Sequence, residues 1–258
     1  MTAVVYDTWW LTRRRLAVFL AQPGYLVVTL IQPAIWLFLF GGLFGRVVDL
    51  PGFSANSYLD YLIPGVLVMN ALASNMWAGM TTLEEIERGT LNRFLTLPIR
   101  RSAIMNANVV EQAVGTIVQS LIILLLGWLA GARYSGGVVG VAVLVGTAVL
   151  LGTLIGALSN ALGMVVRQRE SIIGVNTFLL LPLTFLSTVL MTSELMPGWM
   201  RTIAAYNPVE WAVVAGRAAL SAGTDWSLVV SRGAWLLGLA VLAVALSTRT
   251  FRSYQASV

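Results

Sequence analysis

The sequence predicts an all-α membrane protein with six transmembrane helices, an N-terminal interfacial helix, a short charged cytoplasmic helix and a re-entrant helical hairpin before the last span. The chain of 258 residues is 58% hydrophobic and 10% charged, which leaves too little polar surface to cover a water-soluble globule. Uncharged runs of membrane length recur along it. Because hydrocarbon offers the backbone no hydrogen-bond partner, each run is expected to be helical.

The residue types that are missing exclude several functions. The chain has no Cys and no His, and all 16 of its basic residues are Arg. It therefore lacks the usual zinc ligand sets and imidazole bases, so we predict no metal site and no catalytic site. Without Lys it cannot form a P-loop, and any ATP and Mg²⁺ must be bound by another polypeptide. The formal charge of +5 suits anionic lipid head groups, and nothing calls for nucleic acid.

Residues 1–23 are predicted to form the interfacial helix. Arg13, Arg14 and Arg15 lie beside an apolar helical face that includes Trp9, as in basic helices that lie on the cytoplasmic leaflet. The apolar run that follows the arginines is too short for a signal peptide. A disordered basic tail is the alternative.

The six predicted spans belong to one transmembrane domain that covers residues 1–258. They are residues 25–45, 59–82, 103–131, 139–166, 171–192 and 228–248. About 20 residues at 1.5 Å each cross the hydrocarbon, and these runs are close to that length. Within the fourth, Gly152-x3-Gly156, like Gly136-x3-Gly140 just before it, favours close helix packing over phosphate binding.

The arginines predict the orientation. With the N-terminus inside, 11 of the 16 lie in inside segments and five outside, so the positive-inside rule puts both termini in the cytoplasm. Residues 83–101 then also lie inside. Their T-x-x-E pattern from Thr82 to Glu85 predicts a helix start, and Pro98 predicts its end. The alternative is a solvated loop helix that only joins two spans.

Residues 194–222 are predicted to form the re-entrant hairpin, two short helices dipping into the outer leaflet. Asn207, Pro208 and Glu210 occupy the N-cap, first and third positions of its second helix. Arg217 lies two turns beyond Glu210 on nearly the same face, so each of them could pair across the hairpin or with another span. The alternative is a loop lying flat on the outer surface.

Three motifs in register make the chain resemble the permease subunits of type-2 ABC exporters, near the daunorubicin-resistance group. They are Tyr61-Leu62-x-Pro64-Gly65; Glu85-x-Glu87-Arg88-Gly89-Thr90-Leu91 followed by Leu95-Thr96-Leu97-Pro98; and Asn207-Pro208 followed by Arg217. The resemblance covers essentially the whole chain. It implies a multi-pass protein of the bacterial plasma membrane, two copies of a separate ABC ATPase subunit, and a second permease subunit that is identical or paralogous.

Under this resemblance, residues 83–101 contain a coupling helix that sits in a groove of the ATPase. The residues expected to contact the ATPase are Glu84, Glu85, Glu87, Arg88 and Arg93, then Arg13, Arg14 and Arg15. The other inside loop, Arg167-Gln168-Arg169-Glu170, is a weaker candidate. A short rigid helix with exposed charges can transmit a rigid-body movement to the spans at its ends.

The transport path is expected in a lateral cavity between the second and fifth spans. The candidate residues are Asn70, Ser74, Trp77, Asn176, Thr177 and Phe178. Intramembrane polar groups face protein or a cavity. For each of these residues the alternative role is a structural one, a hydrogen bond between helices. Glu111 is the one acid that could lie inside the membrane, where it would be a functional candidate; an interfacial position, with the third helix beginning in the cytoplasm, is favoured instead.

The function that these residues favour is the permease subunit of an ATP-driven exporter of a hydrophobic or amphipathic drug or lipid. The chain would not itself be an enzyme. A permease for a cell-wall polysaccharide or a lipid-linked glycan is the alternative cargo class. A membrane-embedded enzyme would need a catalytic cluster that the composition does not offer, and an ion channel or ATP-independent carrier would work in vesicles without any ATPase.

Overall fold

The computed structural model describes residues 2–20, 23–45, 57–90, 101–221 and 223–256, and these form helices joined by short connections. No strand occurs in that part of the chain. The predicted all-α class is therefore confirmed. Helix α1 is Thr2–Leu20. Helix α2 is Pro23–Ile35 and runs on through the π turn Trp36–Phe40 and the short helix Gly41–Leu43.

The second predicted span is one helical rod with a break. Helix α3 is Tyr58–Met76 and α4 is Ala78–Glu87, separated only by Trp77. The Ser159 hydroxyl donates to the Met76 carbonyl and accepts from the Gly79 N–H at 2.9 Å. This one side chain from another helix therefore satisfies backbone groups on both sides of the break.

The remaining helices complete the order along the chain. They are α5 (Arg101–Leu129), α6 (Gly137–Val166), α7 (Arg169–Phe185), α8 (Gly198–Ala204), α9 (Pro208–Leu220) and α10 (Trp226–Ala256). Helix α6 is central, since it packs against α3, α4, α5, α9 and α10. Helix α1 packs along α5.

Within the part of the chain that the structure describes, four helical stretches are long and apolar enough to cross a membrane. They are Tyr58–Glu87, Ala103–Leu129, Gly137–Val166 and Trp226–Ser253. The other two predicted spans correspond to shorter helices: Thr29–Leu43 is the apolar part of the first, and α7 has 17 residues. The six-span arrangement therefore stays a prediction.

Helix α7 ends at Phe185, seven residues before the predicted end of the fifth span. The unwound backbone that follows is held by other helices. The Tyr61 hydroxyl donates to the Thr188 carbonyl at 2.9 Å, and the Tyr58 hydroxyl to the Leu190 carbonyl at 3.3 Å. Non-helical backbone is tolerated at membrane depth when protein satisfies it in this way.

Candidate functional site

The charged residues that follow the second predicted span belong to α4, which continues the helix of that span to Glu87. This corrects the prediction that a new helix starts at Thr82. Thr82 does not cap a new helix, because α4 already begins at Ala78. Its side chain is buried and donates to Asn160 Oδ1 at 2.7 Å. The predicted capping box is therefore wrong, because the Thr82 hydroxyl binds a side chain of α6 instead of a backbone N–H at a helix start.

Helix α4 stops at Glu87, and Gly89 has a φ of +67°, a left-handed conformation that favours glycine. The single helix predicted within residues 83–101 is therefore interrupted at Arg88 and Gly89. Arg93 lies outside the described residues. Glu87 and Arg88 are exposed, and Arg88 Nη2 is 3.3 Å from Glu84 Oε2.

Arg15 joins three helices at this end of the bundle. Its Nη2 donates to Glu85 Oε1 at 2.6 Å and to Oε2 at 2.8 Å, and its Nη1 donates to Glu111 Oε2 at 2.8 Å. The three side chains are 15%, 20% and 27% exposed. Arg15 and Glu85 were predicted as partner contacts, and here they hold α1, α4 and α5 together. Glu111 has a partner rather than a free position at the interface.

The other two predicted arginines of α1 remain at the surface. Arg13 and Arg14 are exposed, and the Arg13 guanidinium lies 5.1 Å from the centre of the Trp10 ring.

A second ion pair links the two predicted inside connections. Arg169, at the start of α7, donates through Nη2 to Glu87 Oε2 and through Nε to Oε1 at 3.3 Å. Hydrogen bonding from Arg169 lowers the pKa of the Glu87 carboxyl group, and the same contact raises the pKa of Arg169. Both side chains are about half exposed, so solvent weakens the attraction.

A polar cavity of about 620 Å³ opens beside Arg15 and extends along α3, α4 and α5. Polar and charged side chains form most of its wall. They are Arg14, Arg15, Ser74, Asn75, Thr81, Thr82, Glu84, Glu85, Arg88, Thr90, Asn108, Glu111, Gln112, Thr116, Gln119 and Asn160. Such a wall suits a solvated polar group better than a purely apolar one.

This cavity contains only part of the predicted transport path. Ser74 and Trp77 line it, and Asn70 donates to the lining residue Gln119 at 2.8 Å. The fifth span is absent from its wall. Asn176 is buried and donates to the Met76 carbonyl at 2.7 Å, which supports the break at Trp77.

The last two residues of the predicted path also lie away from the cavity. Thr177 is exposed on α7, and Phe178 is 75% exposed. Neither side chain lines the cavity wall.

The third span supplies a polar stripe that we did not predict as a site. Asn108, Gln112, Thr116 and Gln119 all line the cavity. Their spacing of four, four and three residues is that of one helical face. This spacing is visible in the sequence and could have identified the polar face of α5. It does not indicate which other helices pack against that face.

The two glycine motifs have different partners. A methyl group on Gly136 or Gly140 would strike the carbonyl of Ala219, so this motif allows α9 to approach α6 closely, as predicted. A methyl group on Gly152 would meet Asn75 Nδ2 at 2.7 Å, and one on Gly156 would meet Gln112 Oε1. The second motif therefore makes room for amide side chains of the cavity wall rather than for another backbone.

The predicted hairpin elements form at the other end of the bundle. Asn207 caps α9 as predicted, accepting from the Val209 N–H at 2.9 Å. Its Nδ2 also donates to the carbonyls of Leu183 and Leu186, each at 2.8 Å. One amide thus starts a helix and binds the frayed end of α7. That the hairpin dips into the outer leaflet stays a prediction.

Glu210 and Arg217 both bind Thr188 instead of each other. Glu210 Oε2 accepts from the Thr188 N–H at 2.6 Å and from its hydroxyl at 2.8 Å. Arg217 Nη1 lies 3.1 Å from the same hydroxyl oxygen, and Arg217 Nη2 donates to the carbonyls of Tyr61 and Val189 at 3.1 and 3.0 Å.

The Arg217 guanidinium also lies 3.5 Å from the centre of the Tyr61 ring. These two residues, from separate motifs in the sequence, join the hairpin to the second span. A second cavity, of about 560 Å³, is lined by Glu210 and Arg217.

Comparison with known proteins agrees with this architecture. A family model described as ABC-2 type transporter matches residues 6–221. The chain is 30% identical to the daunorubicin resistance ABC transporter permease protein DrrB1 of Streptomyces coeruleorubidus, over 94% of this chain and 85% of that protein.

Two further relatives extend the comparison. A putative transport permease, ycf38, of Porphyra purpurea is 30% identical over 81% of this chain and 72% of its own length. The probable doxorubicin resistance ABC transporter permease protein DrrC of Mycobacterium tuberculosis strain H37Rv is 23% identical over 72% of this chain and 67% of its own length.

Proposed function

Since the chain belongs to the ABC-2 type transporter family, we propose that it is the membrane-spanning permease subunit of an ATP-driven exporter that moves a hydrophobic or amphipathic drug or lipid out of the cytoplasm or inner leaflet. Two copies of a separate ABC ATPase would supply the energy by binding ATP and Mg²⁺. A second permease, identical or paralogous, would complete the assembly in the plasma membrane, with both termini cytoplasmic. The names of its relatives, which refer to daunorubicin and doxorubicin resistance, support a drug-like cargo.

The observation that carries this proposal is the exposed, charged end of the rod formed by α3 and α4. Glu84, Glu87 and Arg88 lie where the second span leaves the bundle. A force applied there reaches the span directly, because only Trp77 interrupts the helix. The Arg15 ion pairs would carry the same movement to α1 and α5.

The rod is also closely packed against the central helix. A methyl group on Gly79 would strike the backbone of Ser159, and one on Gly163 would strike the backbone of Gly79. Close-packed interiors transmit displacement rather than absorb it. A movement of α4 would therefore displace α6, which contacts α9 and α10.

The test first asks whether the adjoining reading frame encodes a P-loop ATPase; that ATPase is then coexpressed with the chain, followed by copurification and ATP-driven uptake of daunorubicin into inverted vesicles. The Glu87→Arg, Arg88→Glu variant is expected to lose coupling between ATP hydrolysis and uptake while retaining its melting temperature. Glu194→Arg, an exposed charge reversal near the hairpin, should behave as wild type.

A swap variant, Glu87→Arg with Arg169→Glu, separates contact with a partner from the ion pair within the chain. It preserves an ion pair between the two connections but reverses the charges that face outward. Loss of coupling in the swap variant supports ATPase contact at this surface. Normal coupling in both variants, or uptake without any ATPase, contradicts the proposal. Stimulation of hydrolysis by a lipid-linked glycan and not by amphiphiles would favour the alternative cargo.

A further inference from the structure

The break at Trp77 changes the partners of the backbone groups around it. In a continuous α-helix each N–H donates to the carbonyl four residues earlier. Here the Met80 N–H donates instead to the Trp77 carbonyl, three residues earlier, at 3.0 Å, and the Gly79 N–H donates to the Ser159 hydroxyl at 2.9 Å. The Met76 carbonyl has therefore lost its helical donor.

Two side chains from different helices bind the freed Met76 carbonyl. Ser159 of α6 donates its hydroxyl, and Asn176 of α7 donates through Nδ2 at 2.7 Å. A carbonyl oxygen has two lone pairs, so both bonds can form together, and both donors are buried. A continuous rod would return the Met80 N–H to this oxygen, and at least one of the two side chains would then lose its bond.

The break also coincides with a boundary in the apolar packing. Helix α3, up to Met76, belongs to the main buried apolar cluster. Ile86 of α4 packs against a separate buried cluster, which consists of Ile104, Met105, Met164 and Phe251. The two parts of the rod are therefore anchored in different parts of the core. Trp77 lies at the joint between them and is followed by the small residues Ala78 and Gly79, which suit a hinge.

Helix α7 is attached to the rod on both sides of this joint. Arg169 binds Glu87 at the end of α4, and Asn176 binds the Met76 carbonyl at the end of α3. Only three of the 17 residues of α7 are buried, so apolar packing holds this helix less firmly than it holds α6. A change in the angle between α3 and α4 therefore has to break one of these contacts or move α7.

We propose that Trp77 marks a two-state hinge, at which a displacement of α4 is passed to α7, with Ser159 and Asn176 as its positioning residues. In the broken state, which the structure shows, both side chains bind the Met76 carbonyl. In the continuous state the Met80 N–H returns to that carbonyl and α7 is released from it. Each state has its own set of hydrogen bonds, as a two-state element requires. This role rests on the proposed export function for the force on α4, but the equilibrium between the two states belongs to the chain alone.

The absence of Cys allows spin labels at two chosen cysteines of the full chain in lipid nanodiscs. Arg88→Cys and Arg249→Cys place labels at the end of α4 and on the exposed face of α10. The distance between the labels, measured by pulsed electron spin resonance without any ATPase, reports the orientation of α4.

Ser159→Ala and Asn176→Leu each remove a donor to the Met76 carbonyl. Each should raise the ratio of continuous to broken rods roughly threefold to tenfold for every hydrogen bond lost, and the double variant should show the largest shift in distance. Ser159→Ala removes a single oxygen atom, so it keeps the test available if Asn176→Leu does not fold.

Two control variants separate the hinge from a general loss of stability. Asn70→Leu removes a buried amide that donates to Gln119 at 2.8 Å, away from the break, and should leave the distance distribution unchanged. Thr177→Val, next to Asn176 on the exposed face of α7, should also leave it unchanged. Equal distributions in wild type and the double variant, or an equal shift in Asn70→Leu, overturn the hinge.

The passage of movement to α7 is tested in the complex with the ATPase. Labels at Thr177→Cys and Arg249→Cys report the position of α7, and ATP binding should change their distance in an otherwise wild-type chain. In the Asn176→Leu background this change should be lost while ATP hydrolysis continues, and a change of the same size there overturns the relay. Intact ATP-driven uptake without any shift in the chain alone removes only the hinge, whereas a shift in the chain alone without ATP-driven uptake removes only the export function.

Discussion

Replacing Arg15 by Met should destabilise the bundle more than removing the exposed charge of Arg13. Arg15 joins α1 to two other helices through contacts of 2.6 and 2.8 Å to Glu85 and Glu111. Met retains much of the length and volume of Arg. The substitution therefore removes the charge and the hydrogen bonds without opening a large cavity.

The expected loss follows from the exposure of the three side chains. Exposed ion pairs contribute about 0–1 kcal/mol, and breaking a fully buried pair costs about 3–5 kcal/mol. At 15% to 27% exposure the cluster lies between these limits, so we expect about 2 kcal/mol. For a chain of this size that corresponds to a fall of about 4–8 °C in Tm, measured by thermal unfolding in detergent.

Two further variants test the physical reason. Arg13→Met removes an exposed neighbouring charge and should shift Tm by about 1 °C or less. Adding Glu85→Gln and Glu111→Gln to Arg15→Met removes the two uncompensated carboxylates and should recover part of the loss. If Arg15→Met is no more harmful than Arg13→Met, or the triple variant no better than the single one, the ion pairs do not hold α1 in place.

Three other predictions concern single contacts. Ser159→Ala should lower the unfolding free energy by about 1–2 kcal/mol, since the Gly79 N–H loses its partner, and Ser231→Ala on the exposed face of α10 is the control in the same melting experiment; equal Tm values would contradict the role of Ser159 at the break. Asn207→Ala should cost about 2 kcal/mol, from the lost N-cap and the two lost carbonyl contacts, whereas Asn207→Ser should retain a capping oxygen and lose less; identical losses in denaturant titrations would show that the cap does not contribute. Because its pKa is lowered in the folded state, Glu87 can stabilise the fold only above the ordinary glutamate pKa, and this contribution is lost as pH falls through the lowered value. Any Tm difference between wild type and Glu87→Gln should therefore disappear in that acidic range, and a difference that grows there would refute the Arg169 contact.

Much of the helical architecture could be predicted because it depends on local sequence. Apolar runs gave the helices, and Asn207-Pro208 gave the start of α9 together with its cap. The end of the second span was harder. Thr82 and Glu85 have the spacing of a capping box, yet an α6 side chain binds Thr82 and the helix simply continues. A local motif is overruled when a distant residue satisfies the same polar group.

The residues predicted for the transport path come together only in part, and their role in transport stays a prediction. Asn70, Ser74 and Asn176 were correctly chosen as polar groups inside helices, but their spacing carries no information about which helices meet. In the structure Asn176 supports the break at Trp77, and the cavity lies against α5 rather than α7.

By itself, the sequence determined that this is a helical protein of the membrane, that it cannot bind ATP through a P-loop, and where most helices begin. These properties follow from composition and from interactions within a few residues. Tertiary structure alone decided that Arg15 binds both Glu85 and Glu111, that Thr188 binds both Glu210 and Arg217, and that Ser159 binds the backbone on both sides of Trp77. Each of these depends on side chains far apart in the chain, whose meeting is set by how the helices pack.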